Sequence, residues 1–305
     1  MIAPVPAPPP AARSGELDFL DPAGVPVTMP AVFEIDHPVP PHYSVRSCEV
    51  MLSGAWKLVQ YRLPAAAATD RERRAAFENE VGAGVAITRA VANGPYARLF
   101  RTLAGYEMDC DEPFVLYAPL AGPSLENTGG RALTVRTRRT LMSELLVALR
   151  LLTSIGLVHG DLRPATIAVH AGRPQLDRPG GAVYAGAPRR EDGGHPFASA
   201  EQRLGAGRAD CRDDLWSIAA TMYWLVTGRS VDDGRMPDLT AAPELARSLG
   251  QCFTDRADDR PSALKVLESM GVRDPLAGTP QPGDSLAAGR SAFDSMMAAK
   301  RGGTR

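Results

Sequence analysis

The sequence predicts an α+β protein: a small β-rich N-terminal lobe with one main helix, a larger α-helical lobe after it, and a cleft between the two. Three observations carry this prediction. Ala31–Ile35, Tyr43–Leu52, Trp56–Leu63 and Phe114–Leu120 are apolar or alternating runs bounded by turn residues, the signature of strands. Leu141, Leu145, Leu149 and Leu152 recur at helical spacing and line one face of Arg139–Ile155. Asp213–Thr227 is nearly all apolar and stops at Gly228, the pattern of a buried helix ended by glycine.

Residues 1–25 are rich in Pro and Ala, which predicts a disordered or extended N-terminus. The first lobe then spans 31–121. Turns at His37–Pro41 and Ser53-Gly54 separate its first three strands. Thr69 is placed to cap a helix running from Asp70 into the 80s, with Phe77, Val81 and Val85 on one face. Ala121-Gly122-Pro123 breaks the fourth strand, and the second lobe covers 122–273. There, Leu157-Val158 and Ile167-Ala168-Val169 flank a polar turn. That reads as a strand-loop-strand hairpin able to hold one carboxylate, Asp161, at the floor of a cleft. Gly172–Gly194 is rich in Gly, Arg and Pro and predicts a mobile segment. Ala242–Cys252 and Pro261–Met270 read as two more helices. The tail, 274–305, is Pro/Gly-rich, with a short helix at Ser285–Lys300 carrying Phe293, Met296 and Met297.

Composition narrows the function. The chain has 34 basic and 35 acidic residues, so charge gives no case for nucleic acid or an anionic membrane. No run of about 18 apolar residues is present, and the Pro-rich start has no basic n-region. Neither a spanning helix nor a signal peptide is expected. Cys48, Cys110, Cys211 and Cys252 are far apart and form no Cys-x-x-Cys pair. They suit reduced core thiols of a cytoplasmic protein better than a disulfide framework or zinc site. His37, His42, His170 and His195 do not cluster, which also argues against zinc. The Pro, Ala and Arg content suits a GC-rich, bacterial genome.

The most informative stretch is Gly156-Leu-Val-His-Gly-Asp-Leu-Arg-Pro-Ala-Thr-Ile-Ala-Val-His170. It resembles the catalytic loop of protein kinases, His-Arg-Asp-Leu-Lys-Pro-x-Asn. His159, Asp161, Leu162 and Pro164 match, and Arg163 stands where that family has Lys. Gly160 replaces Arg, and Thr166 replaces the metal-binding Asn. Further matches follow in order. Pro196–Gln202 resembles the Ala-Pro-Glu segment, Asp214-Leu-Trp-Ser-Ile218 with Thr227-Gly228 resembles the Asp-x-Trp-Ser-x-Gly helix, and Asp259-Arg260-Pro261-Ser262 resembles the late Arg-Pro-Ser motif. The resemblance spans roughly Val32–Met270. It implies a bilobal protein-kinase-like fold, a buried Glu201–Arg260 ion pair, and an Asp214 that anchors the loop containing His159.

The nucleotide-binding parts depart from that pattern. Glu34–Tyr43, where the family carries a Gly-x-Gly-x-x-Gly phosphate cradle, has no glycine and three prolines, which cannot donate backbone N–H groups. Arg62 occupies the strand-lysine position, with Lys57 at a poorer spacing, and Glu80 matches the helix Glu that pairs with it. Metal binding would fall to Asp177 and Thr166. Alignment on Gly180 instead puts Arg178 at the metal position, and both alignments stand. Tyr117 falls near the position that gates the adenine pocket. Arg189, Arg190 and His195 read as solubilising.

Asp161 with Arg163 would be the catalytic pair, but a base with no phosphate cradle and no sound metal clamp has little to act on. The leading expectation is a pseudokinase acting as a regulatory or protein-interaction module. The alternative is an active Ser/Thr protein kinase using ATP and Mg²⁺, with Asp161 as base. A third reading, a small-molecule phosphotransferase, rests on His159-Gly160-Asp161 alone, since that string also resembles the loop of aminoglycoside phosphotransferases.

Overall fold

The computed structural model describes residues 13–37, 46–52, 56–92, 94–128, 133–189, 195–231 and 235–278. The chain divides into two compact units.

The first unit holds the residues up to Ala97 together with Arg101–Leu120. Its strands are β1 (Arg13–Leu20), β2 (Pro26–His37), β3 (Arg46–Leu52), β4 (Trp56–Arg62), β5 (Leu103–Glu107) and β6 (Phe114–Tyr117). They form a closed antiparallel barrel in the order β1-β2-β3-β4-β6-β5. Closure comes from Leu20 of β1 lying opposite Tyr106 of β5. Side chains alternate along a strand, so each strand sends every second residue into one core. Leu17, Phe19, Ala31, Val50, Leu52, Leu58, Phe114 and Leu116 form that cluster. Each large side chain buried there contributes on the order of 1.5–3 kcal/mol. The alternate residues of β6, Val115 and Tyr117, join Leu63, Phe77, Val81 and Leu103 in a second cluster. Phe77 and Val81 come from helix α2 (Arg71–Val91), which follows the short α1 (Ala65–Ala68). Asp70 caps α2 by accepting from the Glu72 and Arg73 N–H groups, whereas Thr69, the expected cap, ends α1.

The closed barrel corrects the expected bilobal protein-kinase-like fold with its β-sheet N-terminal lobe. The physical reason lies in residues 13–25, which composition had merged with the Pro/Ala-rich start. Glu16-Leu17-Asp18-Phe19 alternates, and only Leu17 and Phe19 are buried. Asp21 then builds the turn, its Oδ1 accepting from the N–H groups of Ala23 and Val25, each at 2.8 Å. β1 therefore pairs along its whole length with β2, and closes the sheet on itself. Residues 1–12 lie outside the described residues. At the closure, a Cβ on Gly105 would sit 2.2 Å from Cδ2 of Phe19, so the Phe19 ring occupies the space that a side chain at 105 would need.

The second unit comprises Arg98–Phe100 and the chain from Ala121. Helix α3 (Val135–Ser154) begins a turn earlier than predicted because Thr134 caps it, its side chain accepting from Thr137 N–H. The predicted leucine face is buried as expected, and α3 packs on α5 (Cys211–Thr227) and α7 (Ala263–Ser269). Asp210 caps α5, and Gly228 ends it at φ 71°. The short helices α4 (Ala200–Arg203) and α6 (Pro243–Leu249) complete the helical set named here.

The expected hairpin around Asp161 is corrected. β7 (Leu157–Val158) pairs with β10 (Val183–Tyr184), and β8 (Ile167–His170) pairs with β9 (Arg173–Leu176). Both partners lie in Gly172–Gly194, which was expected to be a mobile segment. Ala171 and Gly172 link β8 to β9 with φ of 49° and 75°. Positive φ at both central residues is what a two-residue turn between twisted strands requires. The helix expected at Ser285–Lys300 lies outside the described residues. No helix among the described residues is long and apolar enough to cross a membrane.

Candidate functional site

The turn after β7 hangs from one carboxylate. Asp214, in the first turn of α5 and fully buried, accepts from His159 N–H at 2.6 Å and from Gly160 N–H at 2.9 Å. Burial pushes the Asp214 carboxyl up to about 7, against those two donors, with Asp213 and Asp161 adding repulsion. His159 is itself buried, and burial lowers its pKa against the pull of Asp161 and Asp177. Its Nδ1 accepts from Asp161 N–H at 3.4 Å.

Gly160 has φ 77°, and a Cβ there would lie 2.3 Å from the Gly181 carbonyl oxygen. The arginine that the kinase pattern places here could not be accommodated without moving backbone. Gly181 in turn packs against Asp161, since a Cβ on Gly181 would lie 3.2 Å from the Asp161 Cβ.

Asp161 is engaged by its own chain. Arg163 Nε donates to Oδ1 at 2.6 Å, and His195 Nε2 approaches the same oxygen at 3.6 Å. The His195 Nδ1 accepts from Phe197 N–H at 3.1 Å, which puts the neutral ring's proton on Nε2, facing Asp161. The Asp161 side chain keeps 25% exposure. Thr166 is equally committed. Its hydroxyl donates to the Asp161 carbonyl at 2.6 Å and accepts from Arg163 N–H at 3.1 Å.

The hairpin register places Asp177 next to the turn. Ile167 lies opposite Leu176, and Asp177 N–H donates to the Thr166 carbonyl at 2.9 Å. Asp177 is therefore the carboxylate beside the turn, and the two-residue link explains its short spacing from Thr166. A Mg²⁺ ion does not fit this donor set well. The Thr166 hydroxyl is used by the loop backbone, and one Asp177 oxygen accepts from Arg178 N–H at 2.7 Å. Among the described residues, no group of three or more His, Cys, Asp or Glu could hold a metal ion.

Behind the loop sits a buried ionic cluster. Arg260, with its side chain wholly buried, bonds Glu201 and approaches Asp213 Oδ1 at 3.4 Å. Arg189 grips Asp213 with two bonds, Nε to Oδ2 at 3.0 Å and Nη2 to Oδ1 at 2.9 Å. Arg189 therefore anchors the segment, where the sequence suggested only solubility. Arg190 lies outside the described residues. Burial raises the Asp213 carboxyl, against the Arg189 and Arg260 charges.

In the first unit, Arg62 ends β4 and ion-pairs Glu112 at 3.6 Å, an acid that sequence reasoning did not single out. Glu80 is buried on α2. Lys57 pairs with Glu49 at 2.5 Å. Tyr117 is fully buried, edge-on to Tyr61 and beneath the Arg101 guanidinium, 5.4 Å from its ring. Residues 38–45, the centre of the proline-bearing turn, lie outside the described residues. Of the thiols, Cys252 is buried, Cys211 half-buried and Cys110 exposed. A core place for all four is thus corrected at Cys110.

The chain matches no protein-family model and no curated protein.

Proposed function

We propose that the protein is a catalytically silent, pseudokinase-type regulatory or protein-interaction module. The observation that carries this reading is the self-engagement of the loop. The Asp161 oxygen that would take a proton is bonded to Arg163 and faced by His195, and the Thr166 hydroxyl is bonded into the backbone. Losing a single charge-stabilising element removes about 10²–10³ in rate. Here the cradle, the metal clamp and the free base are all compromised.

A thermal-shift titration with Mg²⁺-ATP tests the proposal. A ligand at 100 times its Kd adds about 2.7 kcal/mol, roughly 5–10 °C for a unit of this size. No saturable rise is expected, and no radiolabelled phosphate transferred to the protein or to a basic substrate. A saturable rise together with transfer lost in Asp161→Asn overturns it. One observation favours the second reading, an active Ser/Thr protein kinase: the buried Asp214 holds the loop as firmly as a working base would need.

A further inference from the structure

A groove in the second unit lies outside the loop chemistry. It has a volume of about 520 Å³ and is lined by the start of α3, the end of α5, the entry to α6 and Met270. Its apolar lining includes Met142 and Met270, both half-buried, over the buried Met222. Val135 and Val226 stand exposed at 65% and 37% beside it. Methionine side chains are flexible and polarisable, and they suit a surface that adapts to a partner's side chains.

The rim is cationic on two opposite elements. Arg138 and Arg139 lie on α3, and Arg247 lies on α6. None of the three forms an ion pair among the described residues. Arg138 Nε donates to the Leu133 carbonyl, and Arg247 Nε reaches the Pro243 carbonyl at 3.4 Å. Glu244 is the single acid among the described lining residues, which leaves them an excess of two positive charges, in a chain whose net charge is −1.

We propose that this groove docks an acidic amphipathic segment of a partner protein, with bulky apolar side chains on its methionines and carboxylates on Arg138/Arg139 and Arg247. The two-sided charge selects this occupant. A fatty acid carries one carboxylate and satisfies one side only. The chain's own residues 279–305 hold two acids, Asp284 and Asp294, against four bases, so their net charge of +2 opposes the rim. A segment with acids flanking apolar anchors satisfies both sides, in the manner of groove-bound helices. Turnover at Asp161 is irrelevant to this groove, so each proposal stands or fails on its own measurement.

Selection from a random 12-residue peptide display library on the immobilised full chain tests it. Enriched peptides should carry at least two Asp or Glu flanking Leu, Phe or Met. Their affinity, read by fluorescence anisotropy, should fall at least 30-fold for Arg139→Glu/Arg247→Glu. Both side chains are exposed, so the variant's circular dichroism and Tm should match wild type. Enrichment without acids, equal binding to the reversed variant, or Arg-dependent binding of labelled laurate with no acidic peptide enriched would each overturn the proposal.

Discussion

Arg260 is a wholly buried, many-partnered cation in the second unit. Its guanidinium faces five acceptors: Glu201 Oε2, Asp213 Oδ1, and the carbonyls of Thr254, Arg212 and Asp255, at 3.0, 3.4 and 3.3 Å for the carbonyls. It also lies over the Trp216 ring, 5.1 Å from the centroid. Within the cluster, Glu201 and Asp213 balance Arg189 and Arg260. Arg260→Ala leaves one uncompensated negative charge and strips several buried carbonyls. Removing one partner of a buried pair costs about 3–5 kcal/mol, and lost cation–π contact adds about 0.5–2 kcal/mol. A loss of about 4–5 kcal/mol is expected, a third or more of a typical domain's stability. Arg260→Lys keeps the charge but offers three donors from one nitrogen in place of a planar fork, so about 1.5–3 kcal/mol should go. Urea unfolding followed by Trp emission measures both. A Trp56→Phe background confines the signal to Trp216 and Trp224, which belong to the second unit. If Arg260→Ala loses under about 1 kcal/mol at unchanged m, or if Lys performs as well as Arg, the electrostatic account of this cluster is wrong.

Three further outcomes follow from the same geometry. Asp214 keeps its proton in the fold up to about pH 7 but loses it near pH 4 when unfolded. Folding therefore takes up a proton between those values, and stability falls as pH rises, by on the order of 4 kcal/mol in total. Asp214→Asn should flatten that decline in urea unfolding from pH 4.5 to 8, and parallel curves for the two proteins would refute it. His159, held neutral, acts in the opposite sense below about pH 6.5, and it does so in both proteins, so the comparison cancels it. Gly105→Ala forces a methyl into the Phe19 ring and should destabilise the barrel by about 1–3 kcal/mol, rescued by Phe19→Leu; absence of rescue rejects the contact. Ala171→Gly relieves a positive φ in the β8–β9 turn, and a Tm gain equivalent to about 0.5–1 kcal/mol is expected, with a lower Tm counting against the turn assignment.

The helical unit was legible because its signals are local. Leucines at helical spacing and Gly228 after an apolar run each declare an element within a few residues. The Glu201–Arg260 pair and the Asp214 anchor came from a resemblance, and the geometry supplies both contacts. The barrel was not legible, because its decisive contact joins Leu20 to Tyr106. Nothing local distinguishes a strand that closes a sheet from one at its edge. The alternation of Glu16-Leu17-Asp18-Phe19 could have identified β1, but the adjoining proline-rich start masked it. Arg189 was missed for a similar reason. A guanidinium in a Gly-rich segment reads as solvated until its partner, Asp213 on α5, is brought to it by the fold.

Gly160 shows how a departure from a motif can be a requirement rather than an erosion. Read on its own, it is a mismatch to the kinase-like motif, which has arginine there. In the fold it sits at φ 77° with the Gly181 carbonyl in the space of its missing Cβ. Gly181 is constrained in return, because its own Cβ would lie 3.1 Å from the Gly160 carbonyl carbon and 3.2 Å from Asp161 N. The two glycines form one backbone-to-backbone contact: a side chain at 160 would displace backbone, and one at 181 would need its neighbours to give by a few tenths of an ångström. That contact carries the chain across the face of Asp161, and Arg163 of the same turn and His195 of a separate segment engage the same carboxylate. An arginine at 160 would therefore unseat Gly181, so Gly160, Gly181, Arg163 and His195 act together as a packing solution around the Asp161 carboxylate.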